Sequence, residues 1–328
     1  MKENNPPKQF GLDLKDRKIL YELDKDCRQS CPKIAKKVGL SSEVVNYRIN
    51  RLEKEKIITQ YQVCLNLSKL GLTQFKILLS FQHLKSEEIN KIIDEMKKDK
   101  KVLWIVSCKG DWDLSVAGEV ESLSEIDVFK NKILSLFEGH VEKKGISICT
   151  EADVFNRDYL ISQKAYPERT KKLVDSQKRE EIDALDLKII KELAENARKS
   201  IVDLAEKFNS TPRVIDYRIK QLIKLKIITG FRIAIDYEKL NIKFYKTFFY
   251  LDAPKENRLN ELMNFLKYNK NVIHNLRVLG NWDLEPEFEV SSEEEFDKLL
   301  TEIKDKFSDI IKNIEVITIS KEHKFVYL

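Results

Sequence analysis

A chain of 328 residues, 42% hydrophobic and 34% charged, has the composition of a soluble globular protein long enough for two or more domains. Its longest apolar runs, such as Val102 to Cys108, are of strand length, and Met1 to Pro7 has no apolar core. Neither a membrane span nor a secretory signal is expected, and the expected location is the cytoplasm. The five cysteines (Cys27, Cys31, Cys64, Cys108, Cys149) are odd in number and irregularly spaced, which argues against a disulfide framework and a tetrahedral zinc site.

The elements come in pairs, because the sequence repeats itself at an offset of 170. Asp16 matches Asp186, Leu23 matches Leu193, Ala35 matches Ala205, and Ile57-Ile58-Thr59 matches Ile227-Ile228-Thr229. Each repeat is therefore read as one complete folding unit. Leu12, Leu14, Ile19, Leu20 and Leu23 predict an amphipathic first helix, with Asp24-Lys25-Asp26 as the loop behind it. A short second helix spans Cys31 to Lys37. Gly39 supplies the positive φ of a tight turn, with Asn209 at the matching place. Ser41 caps a third helix, and Thr211 followed by Pro212 gives the same signal in the second copy.

In that third helix Val45, Ile49 and Leu52, or Ile215, Ile219 and Leu222, form a buried stripe opposite a polar face. Three such helices make a helix-turn-helix, and the β-rich segments Lys56 to Val63 and Lys226 to Ile233 suggest a wing. The remainder of each copy reads βαββαβ, a ferredoxin-like order whose sheet has one helical and one bare face. In the first copy these elements are strands at Phe75 to Phe81, Val102 to Cys108, Leu114 to Val120 and Gly145 to Thr150, with helices at Ser86 to Met96 and after Ser122. Ser122 with Glu125, and Ser292 with Glu295, have the spacing of a capping box. Pro286, in a strand that should be central, predicts a bulge or break.

The expected fold is α+β in two tandem repeats. It comprises helix-turn-helix units at 10–63 and 182–234, sheet domains at 71–155 and 241–328, and a polar linker at 156–181. Charge follows the same division. Gly11 to Gln60 holds 12 basic against 8 acidic residues and Gly71 to Thr150 holds 12 against 13, while Glu181 to Gly230 holds 10 against 8 and Asn241 to Ser320 holds 11 against 15. The helix-turn-helix segments are the more basic ones, as a phosphate-binding surface requires.

Leu12-Asp13, Asp16-x-x-Ile19-Leu20, Ile34-Ala35-x-x-Val38-Gly39-Leu40-Ser41 and Val45-x-x-Arg48-Ile49-x-x-Leu52-Glu53-x-x-x-Ile57-Ile58, with Gly110-Asp111-Trp112-Asp113 further on, resemble the Lrp/AsnC, or feast/famine, transcription regulators. The resemblance covers nearly the whole chain twice. It implies a winged helix-turn-helix that binds double-stranded DNA, and a βαββαβ domain that self-associates through its sheet and binds a small-molecule effector such as an amino acid. It departs from the family in carrying two units per chain, so that one chain imitates the usual dimer. In the second copy Leu40 becomes Ser210 and Glu53 becomes Ile223.

Residues near the start of the third helix are the candidates for base edges. They are Ser41, Ser42, Glu43, Asn46, Tyr47 and Asn50 in the first copy, and Thr211, Arg213, Asp216, Tyr217 and Lys220 in the second. Lys33, Lys36, Lys37, Arg51 and Lys54 are candidates for phosphates, whereas Arg48 and Arg218 are read as ion-pair partners of Asp16 and Asp186. Gly110, Asp111 and Asp113, with Gly280, Asn281 and Asp283, form either an effector cradle or a plain hairpin turn around a core tryptophan. The sequence suggests no cofactor. Siroheme decarboxylases also pair two such modules, but His83, His140, His274 and His323 are isolated, so an enzyme is the weaker reading. A metabolite-binding protein that uses its helix-turn-helix units only for assembly is the third.

Overall fold

The structure, a computed structural model, describes residues 11–161, 165, 168–175 and 178–327. The leader expectation for Met1 to Pro7 lies outside them. The first unit runs α1 (Leu14–Lys25), α2 (Cys31–Val38), α3 (Ser42–Lys54), β1 (Ile58–Leu65), β2 (Thr73–Phe81), α4 (Ser86–Met96), β3 (Val102–Lys109), β4 (Leu114–Val120), α5 (Leu123–Leu136) and β5 (Val141–Phe155). After β6 (Thr170–Val174) the order returns as α6 (Ala184–Glu195), α7 (Ile201–Lys207), α8 (Pro212–Lys224), β7 (Ile228–Ile235), β8 (Lys243–Leu251), α9 (Glu256–Lys267), β9 (Val272–Leu279), β10 (Leu284–Val290), α10 (Glu293–Phe307) and β11 (Ile311–Phe325).

Local chemistry accounts for the helix ends. Asp13 and Asp16 form a reciprocal capping box at α1, as Asp183 and Asp186 do at α6. Ser41 and Thr211 accept from the backbone N–H of Val44 and Val214, and the turns before α3 and α8 place Gly39 at φ +70° and Asn209 at φ +49°. Ser292 caps α10 through the Glu295 N–H, while Ser122 makes no such cap, its hydroxyl meeting Ser124 and Glu125 side chains instead.

Each sheet has ferredoxin-like order, β5-β2-β4-β3 and β9-β10-β8-β11. Rather than stacking face on face, the two sheets join along both edges, β3 to β11 and β5 to β9, all antiparallel. The result is a closed eight-stranded barrel, which satisfies the edge N–H and C=O groups that an isolated four-stranded sheet exposes. The faces expected to pair directly are the barrel lining. Pro286 stays within β10, where the ladder to β9 shifts register between Glu287 and Phe288, and the Thr247 hydroxyl donates to the Pro286 carbonyl at 2.9 Å.

Two expectations change. The strands after α3 and α8 do not fold back as separate wings. β1 pairs antiparallel with β7 of the other unit, forming one ribbon shared by both helix-turn-helix units. The described residues of the polar linker are also built into the fold: β6 extends the sheet beyond β5, and Arg157 and Arg169 are buried. One apolar core runs through both helix-turn-helix units, the ribbon and the barrel lining, and two smaller cores fill the space between each sheet and its helices.

Candidate nucleic-acid interface and the buried joint behind it

α3 buries Val45, Ile49 and Leu52 and turns its other face to solvent. On that face Glu43, Asn46 and Asn50 are exposed and Ser42 half-buried, and Tyr47 is 68% exposed. α8 repeats the arrangement, with Arg213 and Lys220 exposed, Asp216 half-buried and Tyr217 58% exposed. Lys220 is tied to Asp216 at 2.6 Å, which halves the charge this face offers.

The helices are aimed by ion pairs from behind. Arg48 Nη1 reaches Asp13 at 2.7 Å and Asp16 at 2.8 Å, and Arg218 Nη1 reaches Asp183 at 2.5 Å and Asp186 at 3.3 Å. Both arginines thus have the structural role read from the sequence. Arg51, a phosphate candidate, joins the same cluster through Asp16 at 2.6 Å. Lys37 is also engaged, at 2.5 Å from Glu22 and 2.6 Å from the Gln29 carbonyl oxygen of the side chain. Lys33 and Lys36 are exposed and form no ion pair among the described residues. Their counterparts on α7 are Asp203 and Glu206, so the two copies offer opposite charge where a second helix would face phosphates.

The two helix-turn-helix units are locked together. Besides the ribbon, Arg28 donates to the carbonyls of Ala197 at 2.5 Å and Lys199 at 3.0 Å, and Arg198 lies over the Tyr61 ring. Below them is a joint that sequence reasoning missed. Asp24, expected in a loop, lies inside α1 fully buried, accepting from Arg157 N at 2.8 Å, Arg157 Nη1 at 2.6 Å and Arg232 Nη2 at 3.1 Å. Arg157 Nε in turn meets Glu289 at 2.8 Å. Burial alone would raise the Asp24 carboxyl, but Arg232, Arg157 and Lys171 overcome it and hold it at about 2. One ion cluster thus links α1 of the first unit, the inter-unit connection, and β7 and β10 of the second. A signal was available in part: at the offset of 170, Asp24 faces Ala194, Arg157 faces Tyr327 and Arg232 faces Gln62, so the copies differ at three members of the cluster, while Glu289 faces an identical Glu119.

The barrel lining is also charged. Glu285 takes Lys76 at 2.5 Å and Lys246 at 2.7 Å, and Glu287 takes Lys246 at 2.9 Å, with His274 at 2.7 Å. Burial opposes ionisation of both carboxyls, yet Lys246 keeps each well below the usual range, joined by Lys76 at Glu285 and His274 at Glu287.

In the loops considered as effector cradles, Asp113 accepts from Phe81 N at 2.8 Å and Asp283 from Leu251 N at 2.7 Å. Trp112 and Trp282 are buried against one another across the barrel. Gly110 and Gly280 sit where a Cβ would press on carbonyl oxygens of the opposite unit, Val316 at 3.0 Å and Ile146 at 2.7 Å. Asp111 and Asn281 are exposed at the tips, as are Asp113 and Asp283 beside them. These loops are therefore inter-unit packing elements whatever else they do.

Comparison with known proteins gives a match to a winged helix-turn-helix DNA-binding model at residues 12–59 and to the AsnC-type helix-turn-helix domain at 182–223. A helix-turn-helix-type transcriptional regulator of Pyrococcus horikoshii is 33% identical over 141 residues, 43% of this chain and 92% of the relative. The regulator LrpA of the same organism is 30% identical over 125 residues, 37% of this chain and 86% of its own. Among solved structures, the siroheme decarboxylase NirDL superposes with a TM-score of 0.60 at 12% identity, over 96% of this chain and 93% of that one. At that identity the likeness is one of fold.

Proposed function

Because the chain belongs to the Lrp/AsnC family of helix-turn-helix transcription regulators, in a tandem form with two units in one polypeptide, we propose that it acts as its own pseudo-dimer on DNA. It is a DNA-binding transcription regulator, and the finer reading concerns how its two halves divide the work. The observation that carries it is closure of the barrel within a single chain: β3–β11 and β5–β9 use the sheet edges through which two chains would otherwise pair. The shared ribbon and the Arg28 contacts then hold two unlike recognition helices in one fixed relation.

Those helices present Glu43, Asn46 and Asn50 on one side and Arg213, Asp216 and Lys220 on the other, so the preferred site is two unlike half-sites. Phosphate affinity is weighted toward the first half, where α2 offers Lys33 and Lys36 and α7 offers Asp203 and Glu206. Selection of preferred sites from a random DNA pool, with the mass of the free protein in solution, tests this. Unlike half-sites bound by one chain are expected. A perfect palindrome bound by two chains overturns the pseudo-dimer, because the same helix from two chains would then be reading.

A second reading, an enzyme acting on a tetrapyrrole, has the whole-chain fold likeness to NirDL in its favour. An absorption spectrum of protein purified from its source tests it: a bound tetrapyrrole would favour the enzyme, and salt-sensitive binding of promoter DNA favours the regulator.

A further inference from the structure

Beneath the β1–β7 ribbon, between it and the barrel, is a cavity of about 80 Å³. It straddles the axis that relates the two units, since matching positions from both copies line it: Gln62 and Arg232, Gln74 and Phe244, Trp104 and His274. In an assembly of two identical chains these walls would be alike. Here every one of these pairs differs, so the cavity has two chemically distinct ends and takes one molecule in one orientation.

Gln74 identifies the polar end. It is 7% exposed, and its Oε1 has no hydrogen-bond partner. A buried amide left in this state costs free energy that a bound donor would recover. Aromatic walls surround it, Trp104, Phe244, Phe325 and Tyr327, with Ala117 and Ala234 leaving the space between them open. The charged groups on the walls are already matched: Lys76 by Glu285 at 2.5 Å, Arg157 by Asp24 at 2.6 Å, Arg232 by Asp24 at 3.1 Å and Glu287 by Lys246 at 2.9 Å. Glu322 accepts from Trp104 Nε1 at 2.8 Å and is exposed to water. An anionic ligand would be stripped of water without gaining a free counter-charge, and Glu322, the wall carboxylate with no ion pair among the described residues, is already solvated. An apolar cavity of about 150 Å³ takes up a benzene ring, so at about 80 Å³ this one holds no more than part of a single ring, the rest lying in the mouth, and is too small for a macrocycle.

We propose that this cavity is a binding site for one uncharged, single-ring aromatic molecule carrying a hydrogen-bond donor, which Gln74 receives. The site is separate from the Gly110 and Gly280 loops and does not depend on how DNA is read.

The test uses the full chain without DNA and titrates phenol, benzene, benzoate and benzylamine by calorimetry and ligand-observed NMR. Phenol is expected to bind saturably at one site per chain, about five- to tenfold more tightly than benzene, as one added hydrogen bond implies, and more tightly than either charged probe. Gln74→Leu keeps the side-chain bulk and should abolish the preference for phenol over benzene. Ala234→Leu fills the cavity from the ribbon side and should block both, with melting temperatures reporting that each variant is folded. Absence of saturable phenol binding overturns the proposal, as do tighter binding of benzoate or benzylamine, two sites per chain, or a phenol preference that survives Gln74→Leu in folded protein.

Discussion

Replacing Asp24 by Asn should destabilise the protein far more than a single surface carboxylate would, and the size follows from the cluster around it. The side chain is fully buried and is shared by Arg157 and Arg232, with contacts of 2.6 and 3.1 Å. Asn keeps the shape and an acceptor, so what is lost is the charge that two buried guanidinium groups share. Removing one partner of a buried ion pair costs roughly 3–5 kcal/mol. The carboxyl at about 2 gives a consistent figure: against about 3.9 when unfolded, it contributes about 2–3 kcal/mol at neutral pH. Because the folded value is the lower one, that contribution is present above about pH 4 and disappears as pH falls through about 2. Urea midpoints of wild type and Asp24→Asn, measured from pH 7 to pH 2, should differ most at neutral pH and converge at the acid end. Asp203→Asn, at an exposed site, should shift stability by no more than about 0.5 kcal/mol. A deficit in Asp24→Asn no larger than that of Asp203→Asn, or one that stays constant to pH 2, would refute the account of Asp24 as the charged hub of the joint.

Three further outcomes are expected. Asn46→Ala with Asn50→Ala should weaken binding to the preferred site by about 1–3 kcal/mol per lost base contact and leave random DNA nearly unaffected, and equal losses on both would remove this face from sequence reading. Lys33→Gln with Lys36→Gln should lower the log–log salt slope by about 0.9 for each phosphate contact removed, whereas Asp203→Lys with Glu206→Lys should raise affinity for all sequences; an unchanged slope in the first variant would take α2 out of the interface. Gly280→Ala would bring a Cβ to 2.7 Å from the Ile146 carbonyl oxygen of the opposite unit and should cost about 1–3 kcal/mol in thermal unfolding, while Gly11→Ala, with nothing within 4 Å, should be silent.

The helices and their limits were legible because their causes are local. An apolar stripe at 3.6-residue spacing, a capping Ser41 or Thr211 and a turn residue at Gly39 or Asn209 all act within a few residues, and the structure places each in that role. The ion pairs of Arg48 and Arg218 were legible for a related reason: a charge that interrupts a buried stripe at the same place in both copies needs an acid on the facing helix. The repeat itself established that two units of one family share the chain.

Strand partners were not legible. Period-two alternation says which face of a strand is buried and nothing about which edge it meets, so β1 pairing with β7, and the closure of two sheets into one barrel, emerged only when both copies were in place. Ser122 had the spacing of a cap and makes none, because spacing does not determine where a hydroxyl points. The connecting segment looked like a polar linker, yet its Arg157 and Arg169 are buried against Asp24, Asp158 and Glu289, carboxylates 133, 11 and 132 residues away in the chain. A charged side chain reads as surface until a distant partner of opposite sign makes burial tolerable, and that partner is chosen by the tertiary fold. By itself the sequence determined the units, their helices and their family; the tertiary structure decided how the units close on each other, because strand edges and buried charges are satisfied only by groups far apart along the chain.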